Sequence, residues 1–402
     1  MELKQKIGPT SSLERIQSLD VLRGFSLLGI LLVNMISFHS PMSYYNPYEW
    51  WKYGDLDVYM WIDILVQASF YPIFAMMFGY GMVIMQERSK LKGTSFWKIS
   101  VRRLIVLLLF GVIHAFLIWH GDILITYAIM GLLLLPLLRL SGPLLLAIGT
   151  AVYILPQLLM GGLLVLISLL DTTTLADFTD ILSLQQSEEV YANGTFWEIT
   201  IQRFQDWSYG NGAGNFIVLI FMILPLMMIG AGAAKLKWLE KAHNQRKKWL
   251  IIFIVFLILG LTGKMLPLLF EPSISIQYIQ DMIGGPLLAI SYIALIVMIM
   301  SNNFMAKLFK PLASAGRMSI TLYLTQSLIG TLIFYQYGLG LYGQISMSSG
   351  TWLAIAIYVI QVILAELWLS KFKYGPIEKL WRTLTYGRIK NKEKREHEIH
   401  HI

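Results

Sequence analysis

The segment HAFLIWHGDILITYA, from His114 to Ala128, is the densest grouping of side chains able to do chemistry, and Arg102 and Arg103 precede it. A neutral imidazole can take a proton from an attacking amine or hydroxyl near neutral pH, which makes His114 a candidate general base. Asp122 is the candidate to orient it or to receive a hydroxyl. A core histidine bonded to a neighbouring helix is the competing reading of His114. The guanidinium groups of Arg102 and Arg103 have the geometry that grips phosphate oxygens in pairs, although topology alone would also put them there. His114 follows Arg103 by eleven residues; at the helical rise this is about 16 Å along the axis.

A reaction that builds negative charge on an oxygen would also need hydrogen-bond donors there, and Asn34, Trp119, Tyr127 and Gln326 are the candidates. Asp20 and Arg23 are three apart and can pair on one helix face. Arg317 opens GRMSITLYLTQS, in which Thr321, Gln326 and Ser327 can bond across helices. Lys264 and Glu366, near the ends of apolar stretches, read equally as snorkelling side chains. The chain has no cysteine, which excludes disulfides, thiolate nucleophiles and Cys-ligated metal. No metal site is read, and no permanently bound cofactor is expected.

These residues need a scaffold, and composition names it. Apolar residues make up 56% of the 402 and charged residues 14%, with mean hydropathy +0.61, more than a water-soluble core absorbs. An all-α, polytopic transmembrane bundle of about ten spans is expected, with spans near 19–38, 61–85, 103–119, 123–138, 143–170, 215–234, 249–269, 284–300, 318–335 and 351–369. Only His120, Gly121 and Asp122 join the third and fourth, so these two form a tight hairpin. No cleavable signal is read at the start, so the first span is a retained anchor.

Orientation follows from the basic residues: 29 of the 32 fall at the N-terminus, in alternate gaps or in the C-terminal tail, and only Lys52, Arg203 and Lys264 fall on the other side. Cytoplasmic loops collect Lys and Arg, so both termini are cytoplasmic. The net charge of +8 is then a signal of topology rather than of nucleic-acid binding. Residues 1–388 form one transmembrane domain, and 389–402 a charged, disordered tail. The one large extracytoplasmic element is 171–214. In it Phe196, Trp197, Ile201, Phe204 and Trp207 recur at helical spacing, which suits an amphipathic helix lying at the interface or capping a cavity.

Four blocks carry a family resemblance: SLDVLRGFSLLGILLVNM (Ser18 to Met35), the RRL of Arg102 to Leu104 with His114 and WHGDIL, GRMSITLYLTQS (Gly316 to Ser327), and YGPIEKLWRTLTYG (Tyr374 to Gly387). In that order the chain resembles the YeiB family of bacterial multi-pass membrane proteins, a domain of unknown function, from about residue 15 to about 388. Leu322 stands where such proteins often have asparagine. More distantly the family is similar to transmembrane acyltransferases such as heparan-alpha-glucosaminide N-acetyltransferase. The resemblance implies a bacterial cell-membrane protein and an acyl route from cytosolic acyl-CoA, as co-substrate, to a sugar, lipid or other acceptor outside, with a histidine as base or acyl carrier.

In that reading Asp20, Arg23, Arg102, Arg103 and Arg317 form the donor mouth, His114 and Asp122 do the chemistry, and the acceptor enters beneath 171–214. A transporter or lipid-handling protein without catalysis is the alternative, and internal repeats would favour it. No repeat is visible between the two halves.

Overall fold

The computed structural model describes residues 16–170 and 179–387. The expected charged tail and part of the outer segment lie outside the described residues. The chain runs as α1 (Gln17–His39), α2 (Pro47–Trp50), α3 (Gly54–Leu65), α4 (Phe70–Leu91), α5 (Phe96–Leu117), α6 (Leu124–Leu137), α7 (Gly142–Leu170), α8 (Ile181–Asn193), α9 (Phe196–Asn211) and α10 (Ala213–Lys235). It continues as α11 (Arg246–Lys264), α12 (Leu266–Leu269), α13 (Ile274–Ile279), α14 (Gly285–Met300), α15 (Asn303–Leu308), α16 (Lys310–Arg317), α17 (Ser319–Phe334), α18 (Met347–Lys371) and α19 (Pro376–Tyr386). Among the described residues there is no strand, so the fold is all-α.

Seven helical stretches among the described residues are long and apolar enough to cross a membrane: α1, α3 with α4, α5, α7, α10, α13 through α14, and α18. α6 and α17 are apolar but shorter, at 14 and 16 residues. The second expected span is not one helix. α3 and α4 are separated at Val66–Ser69, where Ala68 takes φ 57°, a left-handed conformation that disfavours a Cβ and breaks the helical hydrogen bonding. The eighth begins earlier than its apolar run, because a π-helical turn at Gln280–Gly284 joins α13 to α14. Lipid-facing surface shows on α7, where Leu155, Leu158, Leu159 and Leu163 are all exposed. Such a continuous apolar surface is stable only out of water.

α1 and α16 pack with their backbones in contact. A Cβ on Gly316 would sit 1.8 Å from the Asp20 carbonyl oxygen, and one on Gly24 2.1 Å from that of Leu312. This close approach brings Asp20, Arg23 and Arg317 to one end of the bundle.

α8 and α9 cover the opposite end. α9 begins with a capping box, Thr195 and Glu198 bonding reciprocally. Its apolar face points away from the protein, with Trp197 70%, Ile201 60% and Phe204 57% exposed, while Ile199, Gln202, Arg203 and Asp206 are buried beneath it. Polar side inward and apolar side outward is the arrangement of a helix resting in the membrane interface.

Candidate functional site

α5 ends at Leu117, and the amides of Ile118 and Trp119 both donate to the His114 carbonyl, at 3.0 and 2.8 Å. The turn that follows returns the chain as α6 and swings Asp122 back over His114. Its Oδ2 lies 2.6 Å from His114 Nδ1, and its Oδ1 accepts the Ile125 amide at 2.8 Å. Gly111 permits this approach, since a Cβ there would lie 2.6 Å from the Ile125 nitrogen and 3.0 Å from Asp122 Oδ1. Both members of the pair are buried. A carboxylate accepts, so it holds the proton on Nδ1 and leaves Nε2 with its lone pair. Among the described residues Nε2 has no partner. The Tyr323 ring lies 5.1 Å from the imidazole, and its hydroxyl donates to the Gly121 carbonyl at 3.2 Å.

A cavity of about 320 Å³ extends between α1, α4, α5, α6, α17 and α19. Its apolar part is formed by Phe74, Phe78, Leu107, Ile123, Leu124 and Tyr127; Ile123 and Leu124 directly follow Asp122 in the chain, while His114 and Asp122 are not themselves in the lining. Its charged part holds Arg23, Arg88, Arg103, Arg317, Lys373 and Arg382, with Asp20 and Glu378 as the acidic members. A wall so rich in guanidinium groups suits an anion with several phosphate oxygens. The Arg103 guanidinium carbon lies 3.9 Å over the Trp381 ring, and Trp381 Nε1 donates to the Arg103 carbonyl at 3.1 Å. Arg382 lies 4.4 Å over Tyr374. Glu378 anchors α19 by accepting the amides of Ile320 and Thr321 at 2.8 and 3.0 Å and the Thr321 hydroxyl at 2.5 Å. Burial pushes its carboxyl above the usual range, against those hydrogen bonds.

The family model described as "Protein of unknown function (DUF418)" matches residues 233–388. The uncharacterized protein YxaH of Bacillus subtilis (strain 168) is 33% identical over 397 residues, covering 94% of this chain and 96% of that protein. The chain belongs to the YeiB family of DUF418 proteins. YeiB of Escherichia coli (strain K12), also named as uncharacterized, is 29% identical over 395 residues, 93% of this chain and 97% of its own. An uncharacterized 39.9 kDa protein in the amylase 3' region of Bacillus acidopullulyticus is 28% identical over 411 residues, covering 95% of this chain and 97% of that one.

In this YeiB-family chain the matched segment supplies Arg317, Tyr323, Gln326 and all of α19, whereas His114 and Asp122 precede it. Of the residues singled out in the sequence, Asp20, Arg23, Arg103, Tyr127 and Arg317 line the cavity, and Asp20 and Arg23 pair at 3.3 Å. Arg102 does not. It is exposed, its side chain leaving α5 about 100° around the helix from that of Arg103, which stacks on Trp381. Asn34 is half-buried on α1 and is not part of the lining. Gln326 donates to the Gln361 amide oxygen at 2.9 Å and ties α17 to α18. The Trp119 indole is buried between Phe38 and the two histidines, 4.5 Å from the Phe38 ring and 6.3 Å from that of His114. The Tyr127 hydroxyl is spent on the Tyr71 carbonyl at 3.0 Å.

The reading from sequence missed α19 and Tyr323. Both lay inside the signature blocks, and the spacing of Glu378, Trp381 and Arg382 already put them on one helix face. On the far side of the hairpin, His120 Nδ1 lies 3.6 Å from Asp206 Oδ2 and 3.2 Å from the Tyr191 hydroxyl. Burial pulls this imidazole below its usual range, Asp206 opposing and Arg203 and His114 adding to the shift.

Proposed function

We propose that this protein is a membrane acyltransferase that moves an acyl group from cytosolic acyl-CoA to an extracytoplasmic acceptor, a sugar, lipid or other small molecule. The proposal includes about ten spans, cytoplasmic termini and residence in the bacterial cell membrane. One observation carries it: a buried His114–Asp122 pair whose Nε2 has no partner among the described residues, with Ile123, the residue after Asp122, in the wall of a cavity that also holds Arg23, Arg88, Arg103, Arg317 and Arg382. The phosphates of the donor would rest among Arg23, Arg103, Arg317 and Arg382, and its flexible arm would reach toward Ile123 and Leu124.

In the transfer, the acceptor's N–H or O–H gives its proton to His114 Nε2 as the new bond forms at the thioester carbonyl. The C–S bond then breaks, and the proton passes to the leaving thiolate, so Asp122 stays ionised throughout and stabilises the transient imidazolium. Binding of acyl-CoA to the purified protein tests the donor half. Saturable binding, competed by free CoA, is expected; a correctly folded preparation without affinity for acyl-CoA would overturn the reading.

A transporter without chemistry is the second reading, and a different observation favours it. Lys264, fully buried, pairs with Asp281 at 2.8 Å in the π-helical turn, while Gln280 of the same turn donates to buried Asp63 at 2.5 Å. Buried charges beside an interrupted helix are what ion-coupled carriers use. Solute uptake by protein-containing vesicles without acyl-CoA would support it.

A further inference from the structure

A second cavity, of about 460 Å³, lies at the end of the bundle opposite the basic mouth. The ends are distinguished along α5: Arg103 is in its first half, whereas Arg203 of α9 donates to the Leu117 carbonyl at its last residue, at 3.2 Å. The cavity is a groove between α8 and α9, closed at one side by Tyr44. Its size falls in the range of small-molecule sites.

The chemistry of its wall is uniform. Tyr44, Ser183, Gln186, Gln202, Ser208 and Tyr209 line it, together with Gln205 and Phe204, and none of these side chains is ionised at neutral pH. Every one of them except Phe204 carries groups that both donate and accept hydrogen bonds. Two carboxylates stand beside the wall: Asp206, whose oxygens accept from Tyr44 at 2.7 Å, Gln202 at 2.7 Å and Tyr191 at 2.6 Å, and Asp180, which caps α8 by accepting the Ser183 amide and hydroxyl at 3.1 and 2.7 Å. Both carboxylates are engaged in fixing the wall. Gln186 Nε2 donates to the amide oxygens of Gln202 and Gln205, at 3.1 and 3.0 Å. This leaves the Gln186 oxygen and the Gln205 amide NH₂ without a partner among the described residues. The Tyr44 and Tyr209 rings meet edge to face at 4.8 Å, giving apolar faces beside the polar groups.

A ligand matched to such a wall has hydroxyls that each donate and accept, apolar C–H faces between them, and no charge. We propose that the groove binds an uncharged polyhydroxylated molecule, a saccharide or polyol, rather than an amine or a phosphate ester. This goes beyond the acyl-transfer reading and does not depend on it, since binding here needs no donor.

The test is saturation-transfer NMR on the full-length protein in lipid nanodiscs without acyl-CoA, with maltose as the probe. Maltose should receive saturation from tyrosine and phenylalanine protons, and glucosamine and glucose 6-phosphate should receive less. Gln186→Ala with Gln205→Ala removes two exposed amides and should weaken maltose binding at least tenfold with the unfolding temperature unchanged. Absence of transfer to maltose, a preference for either charged sugar, or wild-type affinity in the folded double variant would overturn the proposal.

Discussion

Asp122 Oδ2 lies 2.6 Å from His114 Nδ1, while Oδ1 of the same carboxylate accepts the Ile125 amide at 2.8 Å. One side chain thus fixes both the ring orientation of the histidine and the first turn of α6. Asp122→Asn keeps the shape but allows the wrong tautomer. Acyl transfer should fall about a hundredfold or more with acyl-CoA affinity unchanged, as single-turnover and binding measurements would read separately.

Arg103 and Arg102 are neighbours in sequence with different surroundings: one lines the cavity against Trp381, the other is exposed. Arg103→Ala should weaken acyl-CoA binding about tenfold, the scale of one charge-assisted hydrogen bond. Arg102→Ala should leave the dissociation constant within about twofold, the screening expected of an exposed charge. Isothermal titration of the two variants checks the contrast, and equal effects would contradict the assignment of the mouth.

Glu378 holds α19 to the start of α17 through three accepted hydrogen bonds. Glu378→Leu strands those donors in a buried place, a cost of about 2 kcal/mol. A lower unfolding temperature is expected, together with weaker acyl-CoA binding, because α19 carries Trp381 and Arg382 into the cavity wall. Thermal unfolding and binding measured on the same sample would show both.

The helical class and the hairpin were legible because apolar run length and the short His120–Asp122 link dictate them. The pairing of Asp20 with Arg23 followed from their spacing. What sequence spacing did not carry was facing. Periodicity along α5 does not say which of Arg102 and Arg103 turns inward, since that depends on α19 docking from more than 250 residues away. The break at Ala68 was hidden for a similar reason: an alanine in the left-handed region has no composition signal, and only the surrounding packing holds it there. Gln326 is polar in a span for a structural reason, its bond to Gln361, which could not be told from a catalytic one by residue type.

His120 is held below the usual imidazole range by burial. When its surroundings open, it regains an ordinary value near about 6.5. The open state therefore binds more protons as pH falls below about 6.5, and the packing of α8 and α9 over the hairpin loses stability on acidification. Amide exchange in α9, corrected for intrinsic rates and compared with α4, should quicken from about pH 7 to about pH 5. His120→Gln should flatten that dependence.

The absence of cysteine makes the central claim directly measurable, because any thiol released is that of CoA. Proteoliposomes given acetyl-CoA and a small-molecule extract of bacterial envelopes should release free thiol faster than empty vesicles, as read by a thiol-reactive dye. His114→Ala should bring release down to the empty-vesicle rate while acetyl-CoA binding persists; release by His114→Ala at the wild-type rate would contradict the account.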